Sequence, residues 1–194
     1  MIEIKCGVTE TARDFQYWAA ASGLSDSTRT RVASADIAVV PWERFRDHPQ
    51  PLFPVGTSAL FQYLKKSLPA GSEVELAVED QDYREISLHS EIVRIATIVV
   101  RDGALSVLLN LLATWIARQI WPEAPTTSIP EVQASIIVVQ TEGARTKSVQ
   151  LSYNGPATTF ETTVQMAFEN TRISNPAESK DSIRPDAVDS QNVP

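Results

Sequence analysis

Apolar and polar residues alternate near the start of the chain. Over residues 2–8, Ile2, Ile4, Cys6 and Val8 fall on one side and polar residues or glycine on the other. A period of two is typical of a strand with one buried face. We therefore predict a first strand here, with the Cys6 side chain pointing inward.

The clearest alternation lies over residues 132–153. Two alternating runs flank the turn sequence TEGA. Val132, Ala134, Ile136 and Val138 form the first run, and Lys147, Val149, Leu151 and Tyr153 continue the pattern after the turn. Two such runs joined by a short glycine-containing turn predict a β-hairpin. Further strands are predicted within residues 30–40, and at 73–88 as a second hairpin around the polar turn Asp80–Asp82.

Apolar residues spaced three and four apart predict helices in four other segments. These segments are 9–22, 57–68, 104–121 and 156–168. Residues 91–100 are rich in β-branched side chains but also show helical spacing, and we predict a helix there.

The segment 104–121 is apolar on nearly all sides. Only Ser106, Asn110, Thr114 and Arg118 form a polar line along it. A helix of this kind is typical of a protein core, so we expect one long apolar helix with only a narrow stripe in water.

Together these elements predict an α+β fold. We expect a mixed or mainly antiparallel sheet of about five or six strands covered by helices, in a single domain over residues 1–170. Residues 171–194 contain almost no large apolar side chains, so we predict a disordered C-terminal tail.

Charge and cysteine content narrow the classes of partner. The chain has 194 residues and a net charge of −7. This charge opposes binding to phosphate backbones, so no nucleic acid partner is expected. A single cysteine, Cys6, fits a reducing compartment, and the N-terminus lacks a secretory pattern, so we expect a cytoplasmic protein.

Membrane insertion is not expected. The most apolar run, 104–117, is shorter than the ~20 residues needed to span a bilayer, and it lies between Arg101 and Arg118.

Six carboxylates cluster over residues 73–85: Glu73, Glu75, Glu79, Asp80, Asp82 and Glu85. Such groups bind hard cations when they converge, and the alternative function is therefore a metal-dependent hydrolase or nuclease that uses Glu73, Glu75, Asp80, Asp82 and His89. However, Glu73, Glu75 and Glu79 share the face opposite the apolar residues of their strand. We therefore expect a solvated acidic face, with no metal site and no cofactor.

Cys6, His48 and His89 are the only residues from which a thiol nucleophile and a histidine base could be assembled. A catalytic thiol needs partial exposure and a lowered pKa, whereas Cys6 is predicted to face the core. We expect no catalytic residues.

The loop 41–54 contains four prolines and is too long to be a simple connection. Its residues Trp42, Arg44, Phe45 and Arg46 are of types enriched at protein–protein hot spots. They are our candidate partner-binding residues. The alternative is that Trp42 and Phe45 only anchor the loop to the core.

Three stretches carry a family resemblance: GALSVLLNLLATWIARQ at 103–119, VQASIIVVQTEGARTKSVQLS at 132–152, and IEIKCGVTETARDFQYWAAA at 2–21. In this order of elements the chain resembles the effector-associated constant component family of bacterial conflict systems. Residues 36–100 are longer than the family pattern, with the proline-rich loop and the acidic segment as additional material.

The resemblance implies a small non-enzymatic module that couples a sensor or protease-like effector to other parts of a defence or signalling system. It transfers no catalytic residue. From sequence, therefore, we expect an interaction or adaptor module whose partner is another protein.

Overall fold

A computed structural model describes residues 4–43, 45, 48, 50–88, 92–120 and 130–171. Within these ranges the chain forms nine strands and five helices. The strands are β1 (Lys5–Thr11), β2 (Ile37–Val40), β3 (Phe53–Pro54), β4 (Val74–Leu76), β5 (Glu85–Ile86), β6 (Val93–Arg94), β7 (Thr97–Arg101), β8 (Glu131–Glu142) and β9 (Arg145–Pro156). The helices are α1 (Phe15–Ala19), α2 (Asp26–Ser34), α3 (Thr57–Ser67), α4 (Leu105–Ile120) and α5 (Phe160–Glu169).

Seven of the described strands form one sheet in the order β1-β9-β8-β7-β2-β4, with β6 also pairing with β8. The β1–β9, β8–β9 and β2–β7 pairs are antiparallel, whereas β7–β8, β6–β8 and β2–β4 are parallel. Strands β3 and β5 form a separate two-stranded parallel sheet. The α+β class and the mixed sheet are thus confirmed, and the main sheet has more strands than the sequence predicts.

The β8–β9 hairpin is the longest paired unit, and its prediction is confirmed. Each strand has twelve residues, and pairing runs from Glu131↔Pro156 to Glu142↔Arg145 at the turn. Gly143 has φ 59°, a left-handed conformation that glycine adopts without steric cost. A local turn and uninterrupted alternation are enough to specify this unit.

Helices cover both faces of the sheet. On one face α3, α4 and α5 enclose the larger core, which includes Leu64, Leu112 and Phe160. On the other face α1 and α2 pack over β2, β7 and part of β8 through Phe15, Trp18 and Val32. This second layer is smaller, and on this face none of the described helices covers the first half of β8, most of β9 or β1.

Helix α4 differs from the long apolar core helix that the sequence predicts. Its buried side chains are Leu105, Leu108, Leu109, Leu112, Trp115 and Ile116. The opposite side is exposed and includes Val107 and Ala117 as well as the predicted polar line. The helix is amphipathic and covers one face of the sheet, so the prediction that it lies inside the core is wrong.

Residues 91–100 also differ from their prediction, because they contribute β6 and β7 rather than a helix. Ile98 and Val100 pack in the larger core, and Val99 packs on the opposite face with α1 and α2. A strand buried on both faces has no polar alternate positions, so its sequence mimics a buried helix.

The predicted hairpin over 73–88 is wrong as well. β4 pairs in parallel with β2, and β5 pairs in parallel with β3. A short 3-10 helix at Asp80–Asp82 separates them. Both strands are short, and their partners are distant in sequence, which local patterns do not reveal.

The N-terminal region is partly as predicted. Strand β1 extends to Thr11, and Cys6 and Val8 pair with the core residues Tyr153 and Leu151. Val8 is nevertheless 44% exposed because β1 is an edge strand. The predicted helix shortens to α1, and the separate helix α2, with Ser25 as its N-cap, is not predicted.

None of the described helices is long and apolar enough to cross a bilayer. The predicted boundary of the domain at residue 170 and the predicted tail remain predictions, since residues 172–194 lie outside the described part of the chain.

Candidate functional site

Two aromatic side chains of the 41–54 loop lie together above the sheet. The rings of Trp42 and Phe45 are 5.1 Å apart between centroids, with an interplanar angle of 33°, and both residues are half-buried. The Trp42 backbone N–H donates to the Leu52 carbonyl at 2.8 Å, which closes the loop as an antiparallel bridge. We call Trp42 and Phe45 the aromatic pair.

A polar network fixes the start of this loop against α1. The Arg13 Nη2 atom lies 2.6 Å from Glu43 Oε2, and the Tyr17 hydroxyl donates to Glu43 Oε1. Glu43 directly follows Trp42 in the chain. The network therefore holds the aromatic pair in place from the side of α1.

The aromatic pair lies between two recesses on the same face of the sheet. The first, of about 550 Å³, extends to α1 and is lined by Tyr17 and Trp18. The second, of about 470 Å³, lies over the start of β8 and the end of β9. Trp42, Phe45 and Gln150 line both. Each volume lies within the ~300–1,000 Å³ range of ligand sites.

Lys5 and Arg94 line the second recess, and its floor between them consists of uncharged polar side chains. These are Gln133, Ser135, Gln150, Ser152 and Asn154, which we call the polar floor. Each lies in β8 or β9 at the alternate positions that face the α1 layer, and Gln150 Nε2 donates to Ser135 Oγ at 2.9 Å. Amide and hydroxyl groups both donate and accept hydrogen bonds, so this floor suits a ligand that presents both functions.

Gly7 of β1 leaves the edge of the polar floor open. It pairs with Ser152, and no atom lies within 4 Å of the position that a Cβ would occupy. A larger side chain here would stand beside Ser152 and narrow the recess.

Trp18 contributes an unusual group to the first recess. Its side chain is only 5% exposed, and its indole Nε1 has no hydrogen-bond partner among the described residues. A buried donor left without a partner is costly, and such groups are rare in native proteins.

The structure brings together two of the four predicted partner-binding residues, Trp42 and Phe45. Arg44 and Arg46 lie outside the described residues. Sequence analysis did not identify the polar floor, although the alternation of the hairpin contained the signal. The positions between the apolar residues of β9 are serine, glutamine and asparagine rather than the lysine and glutamate usual on solvated surfaces.

The acidic residues of 73–85 do not converge in the described structure. Glu75 pairs with Arg31 at 3.2 Å, and Glu79 Oε1 accepts the Ser25 backbone N–H at 2.8 Å. This hydrogen bond, with help from nearby hydroxyls, lowers the pKa of Glu79. Glu79 thus stabilises the start of α2.

Glu85 has a similar role at α3. Its two carboxylate oxygens accept the backbone N–H groups of Gly56 at 3.0 Å and Ser58 at 2.8 Å. Partial burial acts to raise the pKa of Glu85, but hydrogen bonds from Tyr83, Ser58 and Gly56 outweigh it and lower the pKa. The Tyr83 hydroxyl donates to Glu85, and the pKa of Tyr83 is raised by burial and by this carboxylate.

No group of three or more histidine, cysteine, aspartate or glutamate side chains could hold a metal ion in the part of the chain that the structure describes. His89 lies outside that part.

Cys6 and His48 lie on opposite sides of the sheet. Cys6 shares the face of Tyr153 and α5, whereas His48 belongs to the loop that lies on the α1 side. Partial burial raises the pKa of the Cys6 thiol, the opposite of what an activated nucleophile requires.

Comparisons of the chain with protein-family models, curated proteins and solved structures gave no match.

Proposed function

We propose that this chain is a non-enzymatic cytoplasmic interaction module that binds another protein through the cleft around the aromatic pair. The aromatic pair supports this proposal most directly. Two large rings lie together, half-buried, at the boundary of two recesses, and their position is fixed by the Leu52 bridge and the Arg13–Glu43–Tyr17 network. Aromatic side chains held rigid in this way bind partners at low entropic cost.

The alternative that these rings only anchor the loop explains less of the arrangement. A loop anchor is expected to bury its rings in the core, yet neither Trp42 nor Phe45 belongs to either cluster of buried apolar residues. Both rings instead line recesses that are open to solvent.

The resemblance of residues 2–21, 103–119 and 132–152 to the effector-associated constant component family supports a place for this module in a bacterial defence or signalling system. In that setting the partner would be a sensor or an effector protein. No observation favours the metal-dependent hydrolase. The described carboxylates of 73–85 that make hydrogen bonds or ion pairs either accept N–H groups at the starts of helices or pair with Arg31 at the surface.

The test is co-purification of the tagged chain with the products of neighbouring genes. The wild type is compared with the double variant Trp42→Ala, Phe45→Ala. The matched control is Met166→Ala, since Met166 is 64% exposed on α5, on the other face of the sheet. Circular dichroism and thermal unfolding establish that all three proteins are folded.

We expect one defined partner to co-purify with the wild type and with Met166→Ala, and to be lost or reduced by about tenfold or more with the double variant. Equal recovery of the partner with all three proteins would contradict the proposal. So would the absence of any partner from the wild type.

A further inference from the structure

Two basic residues stand at the ends of one row of paired residues across the sheet. Lys5 of β1 pairs with Asn154 of β9. Gln133 of β8 pairs with Asn154 on one side and with Arg94 of β6 on the other. Residues paired in this way direct their side chains to the same face, and all four line the second recess. The row therefore has a cation at each end and two amides between them.

The charge of this recess is opposite in sign to the charge of the whole chain. The net charge is −7, yet among the described residues no aspartate or glutamate lines the second recess. Lys5 and Arg94 also make contacts within the chain. An ammonium and a guanidinium each have several N–H donors, so each can bind a further acceptor. The second recess therefore favours a ligand that presents anionic oxygens.

A third recess, of about 320 Å³ and also lined by Trp42, has the opposite charge. Its lining includes Glu43, Glu79 and Asp82 and, among the described residues, no lysine or arginine. The surface around the aromatic pair is thus basic towards β1 and β6 and acidic in the third recess. A ligand that contacts Trp42 is attracted by its anionic groups to the second recess and repelled by them from the third.

This charge pattern favours an acidic protein surface over a nucleic acid. A phosphate backbone repeats its negative charge along its whole length, so a strand that extends past Trp42 meets the carboxylates of the third recess. A protein can place carboxylates only where the cleft is basic and an apolar side chain beside them. Aromatic residues next to charged residues at the rim are typical of protein–protein interfaces.

On the basis of the proposed function, we propose that the partner protein binds this cleft through an acidic patch. Its carboxylate side chains contact Lys5 and Arg94, and a neighbouring apolar side chain contacts Trp42 and Phe45. The aromatic contact contributes most of the affinity, whereas the charged contacts set the orientation and speed association. Salt screens exposed ion pairs, so binding weakens as the ionic strength rises.

Two double variants with the same change in net charge test this inference. Lys5→Glu with Arg94→Glu reverses both cations of the second recess. Lys66→Glu with Arg145→Glu makes the same change at exposed positions of α3 and of the hairpin turn, neither of which lines the recess. If the first variant does not fold, Lys5→Glu alone replaces it, because Lys5 is exposed, with Lys66→Glu as its control.

The probe is a phage-displayed library of random peptides, both linear and disulfide-closed, selected on the full-length wild-type chain. We expect the selected peptides to be enriched in aspartate or glutamate next to an apolar residue. In fluorescence anisotropy, Lys5→Glu with Arg94→Glu should weaken their binding by about tenfold or more, and the control by less than about twofold. A peptide whose carboxylates are replaced by lysine should bind the charge-reversed variant better than it binds the wild type.

Four results would overturn the inference. They are a selection that yields no peptide, selected peptides without acidic enrichment, equal weakening by the two double variants, and tighter binding of inorganic phosphate or an oligonucleotide that Lys5→Glu with Arg94→Glu abolishes. If the co-purified partner still depends on Trp42 and Phe45 in these cases, the proposed function stands and only the acidic chemistry of the partner is rejected.

Discussion

At the scale of single residues, Arg101 shows how one half-buried charge can join several elements. At the end of β7, its Nε donates to the Ala35 carbonyl and its Nη2 to the Ala33 carbonyl, each at 3.0 Å. Its guanidinium also lies 4.7 Å from the centroid of the Phe15 ring. One side chain thus binds the last carbonyls of α2 and packs against α1. The sequence does not reveal this role, because Arg101 reads as a charge that ends an apolar run.

Replacement of Arg101 with methionine tests this role. Methionine retains an apolar stem of similar length but leaves the Ala33 and Ala35 carbonyls without their donor, so we expect a loss of about 1–3 kcal/mol in the free energy of unfolding. Urea denaturation of Arg101→Met and of the exposed control Arg145→Met measures the difference. Equal stability of the two variants would show that the guanidinium has no special role.

At the scale of elements, carboxylates that the sequence suggested as metal ligands instead accept hydrogen bonds from N–H groups at the starts of helices. Helix α3 begins after Gly56, which has φ 89° and provides no side-chain cap. Glu85, from a strand distant in sequence, supplies the missing acceptor to Gly56 and Ser58. A carboxylate at a helix N-terminus is favoured by the exposed N–H groups and by the helix dipole.

Glu85→Ala should therefore destabilise the protein in a pH-dependent way. The folded-state pKa of Glu85 is lowered, so its stabilising contribution is present above the unfolded pKa, ~4.3, and is lost as pH falls through the folded value. At neutral pH we expect a loss of about 0.5–2 kcal/mol, as for other helix caps.

Urea unfolding of the wild type and of Glu85→Ala between neutral and acid pH measures this difference. It should shrink as pH falls below ~4.3. A difference that stays constant down to acid pH would show that the effect of the substitution is not electrostatic.

The elements that the sequence predicted correctly are those specified locally. Helix α3 has a sharp apolar stripe and a proline that ends it, and the β8–β9 hairpin has its turn within the pattern. The errors at β4, β5 and β7 have a different origin. At β4 and β5 the alternation predicts strands but not their distant partners, whereas β7 is buried on both faces and its sequence contains no alternation that predicts a strand.

At the scale of the whole molecule, the candidate cleft exists only because several distant segments meet. The 41–54 loop, α1, β1 and the β8–β9 hairpin all contribute to it. Residue types alone were enough to select Trp42 and Phe45. The uncharged alternate positions of β9 were a signal for the polar floor, but the sequence does not show that α1 and α2 cover only part of the sheet.

Site-specific photocrosslinking tests the central claim most directly. Benzoylphenylalanine is introduced in living cells at Phe45, at Ser152 on the polar floor, and at the exposed Met166 on the other face. The account predicts crosslinks to one and the same protein from positions 45 and 152, and none from position 166. Crosslinking from position 166 without crosslinking from position 45 would contradict it, because the partner would then bind the opposite face of the sheet.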